Sequence, residues 1–267
     1  MIEKKYSRKH IGKRHKTNEG YMVEVIDGGS KPKYCTVKFD GIDYEVEVKY
    51  GNVENGKVKN PFHPSVYGKG YLGVGEAKKS ENGKQTKVYK IWKSMFRRAY
   101  DPKYHEKRPT YKGVTVCDEW LNFQNFAKWY NEQSYKHDDL DKDILSDGTK
   151  IYSPETCVLI SHGLNKFIAI IYLNNTSEVV GVSWNKQLQK WFVHIHDPRT
   201  GKKKYLGLFN NKHEGGVAYR KARLEIYETY YKPKFSNSHD PRIFKILDVQ
   251  LKRELEEAER EYHLSIF

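Results

Sequence analysis

Val179-Val-Gly-Val-Ser-Trp184, Lys190-Trp-Phe-Val-His-Ile-His196 and Lys204-Tyr-Leu-Gly-Leu-Phe209 are three short runs in close succession. Each mixes β-branched and aromatic residues with polar ones at alternate places, the pattern of a half-buried strand. Pro198-Arg-Thr-Gly201 supplies the turn between the second and third runs. From His213 to Tyr231, Val217, Ala218, Ala222, Ile226 and Tyr230 recur in helical register. A three-stranded sheet followed by one helix is an α+β arrangement.

The same grammar extends outward. Ser236-Asn-Ser-His-Asp240 reads as a linker, and Pro241 to about His263 as a last helix with Leu247, Leu251, Leu255, Ala258 and Tyr262 on one side. That stripe suits packing onto the body or dimerisation equally. Toward the N-terminus, Tyr89, Trp92, Phe96 and Tyr100 mark a helix over 88–100, with Lys90, Lys93 and Arg97 on its other faces. Val114–Cys117 reads as a short strand. Glu119 to Gln133 reads as a helix whose stripe is Trp120, Phe123, Phe126, Ala127 and Tyr130. Strands are expected at 34–39 and 44–48, joined by the hairpin signal Asp40-Gly41. The segments expected are a basic arm (1–20), a β-rich domain (21–85), a central segment (86–176), the sheet-and-helix module (177–235) and a C-terminal helix (236–267).

Composition narrows the function. The chain has 267 residues, 37% hydrophobic and 14% aromatic, which suits several small cores better than one large one. Lys plus Arg number 48 against 34 acids, a net charge of +14. Such a surplus points to a polyanionic partner, nucleic acid before an anionic membrane. Seven basic residues crowd 1–20 (Lys4, Lys5, Arg8, Lys9, Lys13, Arg14, Lys16), the mark of an arm that is mobile until it meets a partner. No apolar run approaches 18 residues, so no membrane span and no secretory leader are expected. Cys35, Cys117 and Cys157 are odd in number and far apart, which fits a reducing compartment and no structural zinc. Gly68, Gly70 and Gly73 spell GxGxxG but follow a proline-rich loop, so a turning loop accounts for them better than a dinucleotide site.

Charge reverses over 118–147, where eight acids face three Lys. Asp138, Asp139, Asp141, Asp143 and Asp147 lie within ten residues. Two readings stand: a hard-cation site, or capping and turn chemistry.

Residues 179–231 resemble the APETALA-type, or ethylene-response-factor, DNA-binding domain. The resemblance rests on Gly181-Val182, Lys190-Trp191, Ile195, Tyr205-Leu206-Gly207, Phe209, Glu214, Ala218-Tyr219 and Ala222. It implies a sheet laid in the DNA major groove with the helix behind it. Alternation then places Gly181, Ser183, Asn185, His194, His196, Lys203 and Tyr205 toward DNA, with Lys186 and Lys190 beside them. Val182, Val193, Ile195, Leu206 and Phe209 would face the helix. Ser183, Asn185 and His196 stand where the family usually carries Arg. Asn and Ser still read base edges.

Residues 86–165 are similar to an HNH-endonuclease-like segment. The matching positions are Tyr89, Trp92, Arg97-Arg98, Cys117-Asp118-Glu119-Trp120-Leu121-Asn122-Phe123, Leu140-Asp141-Lys142-Asp143, Tyr152-Ser153-Pro154-Glu155-Thr156-Cys157 and Asn165. With the module that follows, the combination resembles phage homing endonucleases. It implies double-stranded DNA as partner, Arg97 and Arg98 as contacts, and a phage- or mobile-element-encoded protein of the bacterial cytoplasm. It also implies Mg²⁺ or Mn²⁺ held by Asp141 and Asp143. The position of the general base falls on Lys142, so His137 or His162 is expected to act instead, with Asn165 beside them. A DNA-nicking enzyme and a non-catalytic DNA-binding regulator or anti-defence protein with a degenerate nuclease shell both remain open. RNA binding is the weaker expectation, because a sheet with few exposed aromatics is a poor stacking platform.

Overall fold

The computed structural model describes residues 9–146, 148–169 and 179–267. Lys4, Lys5, Arg8 and Asp147 lie outside them. The architecture is α+β with several small sheets. In chain order come strands β1 (Arg14–Lys16), β2 (Met22–Gly28), β3 (Tyr34–Phe39) and β4 (Glu45–Lys49), helix α1 (Tyr50–Glu54), and the short strands β5 (Ser80–Glu81) and β6 (Lys84–Gln85). Next are α2 (Lys87–Tyr100), α3 (Pro102–Lys107), β7 (Thr115–Val116), α4 (Asp118–Leu121), α5 (Phe123–Glu132), β8 (Asp139–Asp141), β9 (Ile151–Tyr152), β10 (Val158–Ile160) and α6 (His162–Ala169). The chain continues with β11 (Val182–Asn185), β12 (Lys190–Asp197), β13 (Lys202–Phe209), α7 (Lys212–Ile226), a π-helical segment (Tyr227–Tyr231), α8 (Lys232–Phe235) and α9 (Pro241–Leu264). These elements fall into two compact units, Met1–Glu81 with Asp118–Phe126, and Asn82–Cys117 with Ala127–Phe267.

In the first unit β1 to β4 form an antiparallel sheet in sequence order. Alternation buries Val23, Val25, Cys35, Val37 and Phe39, and Tyr50, Val53 and Val58 close the core. Gly41 adopts φ +69°, as the β3–β4 turn requires. The basic arm is corrected over its described part. Arg14–Lys16 pairs with Met22–Glu24, and the His10 ring packs 3.7 Å from that of Tyr50. The glycine-rich loop turns as expected. The Gln124 side chain clamps it, donating to the carbonyls of Leu72 and Ala77 and accepting from the Ala77 N–H. A Cβ at Gly73 would lie 2.1 Å from the Asn122 side chain. The single helix expected over 119–133 is two helices. The Tyr71 N–H donates to the Leu121 carbonyl and the Tyr71 carbonyl accepts the Phe123 N–H, which interrupts the helix at Asn122.

In the second unit Thr86 caps α2, and Tyr89, Trp92, Met95, Phe96 and Ala99 form its buried face. β8 and β10 pair antiparallel, and α6 follows at once, a ββα order. β11, β12 and β13 form the expected antiparallel sheet. A bulge at Leu206 shifts its register between Val193 and His194. α7 lies behind the sheet, where Gly215 brings the helix close to Val193. α9 packs back on α7, with an Arg223–Glu254 ion pair at 2.7 Å between them.

One core joins residues 144–168 to the sheet-and-helix module and α9. Ile144, Val158, Ile160, Leu164 and Phe167 share it with Val193, Tyr219, Ile226, Leu247 and Leu251. The segments 86–176, 177–235 and 236–267 therefore do not part as separate cores. Each of their sheets and helices is too small to bury its apolar face alone. Among the described residues no helix is long and apolar enough to cross a membrane.

Candidate functional site

The sheet β11–β12–β13 has two faces of opposite character. Val182, Val193 and Ile195 are buried toward α7, and Leu206 and Phe209 pack on the same core. Outward stand Ser183 and Asn185 on β11, Lys190, Phe192, His194 and His196 on β12, and Lys203 and Tyr205 on β13. His196 faces Lys203 across the strands, and His194 faces Tyr205. Lys186 is exposed in the β11–β12 turn. The nearby acids are occupied elsewhere. Asp197 is buried and receives Arg199 Nε and Nη2, which holds its carboxyl down at about 2. Glu225 lies within 4 Å of Lys204 and Arg199.

Three details of this face differ from expectation. Gly181 precedes β11, has φ +79°, and abuts the Tyr219 ring, so it does not face outward with Ser183. The Asn185 side-chain oxygen Oδ1 accepts the N–H groups of Gln187 and Leu188, which leaves its Nδ2 group for a partner. The face also carries more aromatic surface than expected. Phe192 stacks on Tyr205 at 5.2 Å, and Tyr205 is 55% exposed. Phe192 was legible from alternation, since it sits two residues before His194.

The acidic cluster is dispersed by its hydrogen bonds. Asp138 pairs with Lys87 at 2.7 Å. Asp141 Oδ1 accepts from the N–H groups of Asp143 and Ile144, the bonding of a turn cap. Burial raises the Asp141 carboxyl above its ordinary range. Asp143 pairs with Lys142, whose side chain is 8% exposed and lies 6.0 Å from the centroid of the Tyr152 ring. Asp141 and Asp143 thus each spend a carboxylate oxygen on backbone or ammonium. Among the described residues no three His, Cys, Asp or Glu side chains converge in a metal-binding group.

The residues that do converge are Asp139, His162 and Asn165. β10 and β8 bring the start of α6 beside Asp139. Asp139 Oδ2 lies 3.1 Å from His162 Nδ1 and accepts from Asn165 Nδ2 at 3.0 Å. The His162 side chain is 82% exposed, so its Nε2 edge is open. Asp139 was missed as the partner, although alternation puts it on the same face of β8 as Asp141.

His137 lies elsewhere. It stacks on His239 at 3.8 Å and bonds the Ser238 carbonyl through Nε2 at 2.7 Å. His239 is fully buried. Its Nε2 accepts the Ser161 N–H, and burial beside His137 lowers its pKa to about 4. Arg97 and Arg98 also part company. Arg97 is exposed, with its guanidinium 4.8 Å from the Tyr104 ring. Arg98 turns inward, donating to the Leu140 carbonyl at 3.1 Å and lying over Tyr152. It is spent on structure rather than presented to a phosphate.

No family model, curated protein or solved structure matches the chain.

Proposed function

We propose that this protein binds double-stranded DNA through the outer face of β11–β12–β13. The observation that carries the reading is the makeup of that face, where Lys190, His196 and Lys203 stand among Ser183, Asn185 and Tyr205 with no outward acid among the described residues. Cations and hydroxyls supply phosphate contacts, and the polar side chains reach base edges in a groove wide enough for a β-ribbon. The +14 charge of the chain adds a non-specific pull toward the backbone. Titration of a labelled duplex against salt tests it. With roughly six phosphates neutralised, log K falls against log[salt] with a slope of about −5. The double variant His196→Ala/Lys203→Ala flattens that slope. A flat slope in the unaltered protein removes DNA as the partner.

A second reading, strand cleavage, rests on the Asp139–His162 pair. In it Asp139 orients the imidazole and Asn165 holds the carboxylate in place; His162 Nε2 takes the proton of a water as its oxygen bonds phosphorus and the P–O3′ bond breaks, and the leaving 3′ oxygen takes a proton from solvent. No step runs through Asp141 or Asp143.

A further inference from the structure

The second unit holds a half-open cavity of about 600 Å³ whose lining shares His194, His196 and Lys203 with the outer face of the sheet. It opens where β12 outruns β11. Val193 still pairs with Val182, but beyond it His194, Ile195 and His196 have a strand partner only in β13. The cavity lies along that open edge, between it, α6, α7 and the π-helical segment.

Its walls are aromatic. Phe167 and Tyr231 stack at 4.2 Å on one side, and Tyr219 and Phe235 line it further along. Its charged groups are of one sign. Lys166, Lys203, Arg223 and Lys234 line it, and no Asp or Glu among the described residues does. Arg223 is paired with Glu254, and Lys234 bonds the Tyr230 hydroxyl at 2.6 Å. Lys166 and Lys203 have no acidic partner among the described residues, so two ammonium groups stand uncompensated beside an apolar wall.

We propose that this cavity binds a small planar aromatic molecule bearing an anionic group. The ring packs against Phe167 and Tyr231, and the phosphate, sulfonate or carboxylate takes the ammonium groups of Lys166 and Lys203. The volume lies within the range of small-molecule sites, which are mostly apolar with a few placed polar groups. The inference shares Lys203 with the DNA reading but does not rest on it, since its test is run without DNA.

The test uses the full chain and 1-naphthyl phosphate, followed by calorimetry. Saturable one-to-one binding is expected, with neutral 1-naphthol weaker by about tenfold or more. Lys166→Ala/Lys203→Ala weakens the phosphate by a similar factor and leaves the naphthol unchanged. Gly163 of α6 lines the cavity, and a Cβ there meets nothing within 4 Å. Gly163→Phe is expected to put a ring into the cavity and abolish binding, with circular dichroism and Tm checking that the fold is kept. Competition identifies the source. Displacement by a nucleoside 5′-monophosphate assigns a nucleotide, and displacement by 1-naphthoate alone assigns an aromatic acid. The inference is overturned by absence of saturable binding, by equal affinity for naphthol, or by binding that survives Gly163→Phe.

Discussion

Asp139 and His162 are 23 residues apart in the chain, yet Oδ2 of one lies 3.1 Å from Nδ1 of the other. Asn165 donates to the same oxygen. A carboxylate behind an imidazole fixes both its tautomer and its direction. That relationship shifts the candidate chemistry away from the Leu140-Asp141-Lys142-Asp143 run that the sequence favours.

A nicking assay on supercoiled DNA separates the two readings of the chain. Under strand cleavage, His162→Ala and Asp139→Asn each lower the rate by about a hundredfold or more, the usual contribution of a general base. Asp141→Ala leaves the rate in place and lowers Tm, because it removes a cap worth about 1 kcal/mol. Absence of nicking by the unaltered protein with either Mg²⁺ or Mn²⁺ leaves DNA binding as the sole reading.

Arg98 and Arg97 should behave as opposites. Arg98→Ala strips the Leu140 carbonyl of a charged donor and uncovers Tyr152, a loss of about 1.5–3 kcal/mol by denaturant titration. Arg97→Ala leaves stability nearly unchanged and weakens duplex binding at low salt. Equal loss of stability in both would place Arg97 in buried contacts like those of Arg98.

Acid should weaken the fold through His239. Its folded pKa, about 4, lies below the ordinary 6.5. The unfolded chain therefore binds the proton first. The stabilisation is complete above pH 6.5, declines as pH falls toward 4 and is flat below. The loss amounts to at most about 3 kcal/mol. Tm measured between pH 7 and 4 shows this slope, and His239→Gln flattens it while lowering Tm at neutral pH. An unchanged slope in the variant would place the acid sensitivity in another group.

The three strands and the helix of 179–231 were legible because alternation and helical spacing are local properties, and so were the β3–β4 hairpin and α2. The sorting of Val182, Val193 and Ile195 from Ser183, His196 and Lys203 followed from the same period. Domain limits were not legible. They depend on which apolar faces meet, and nothing local to Ile160 or Leu164 reveals that Leu247 and Leu251 cover the same core. The roles of Asp139, Asp141 and Asp143 were hidden for a related reason. The three share a composition, and only the loop bonds of Asp143 and Ile144 distinguish a cap from a ligand.

A modular chain would survive division after Thr176, and this one should not. The cut removes Tyr219, Ile226, Leu247 and Leu251 from the core that holds Val158, Ile160, Leu164 and Phe167. The fragment is expected to aggregate or to show a broad, non-cooperative melt by circular dichroism. A soluble fragment with a sharp transition would contradict the shared core.

That core also sets a schedule on the ribosome. The β1–β4 sheet completes its cluster with Val58, so its partners emerge close together. The cluster begun by Ile144 waits for Leu251, roughly a hundred residues later. At about 5–20 residues per second, that leaves roughly 5–20 s in which β10 and α6 stand uncovered. During that interval the nascent chain offers holdase chaperones a sticky Val158–Ile160 strand, and the demand ends only when α9 arrives.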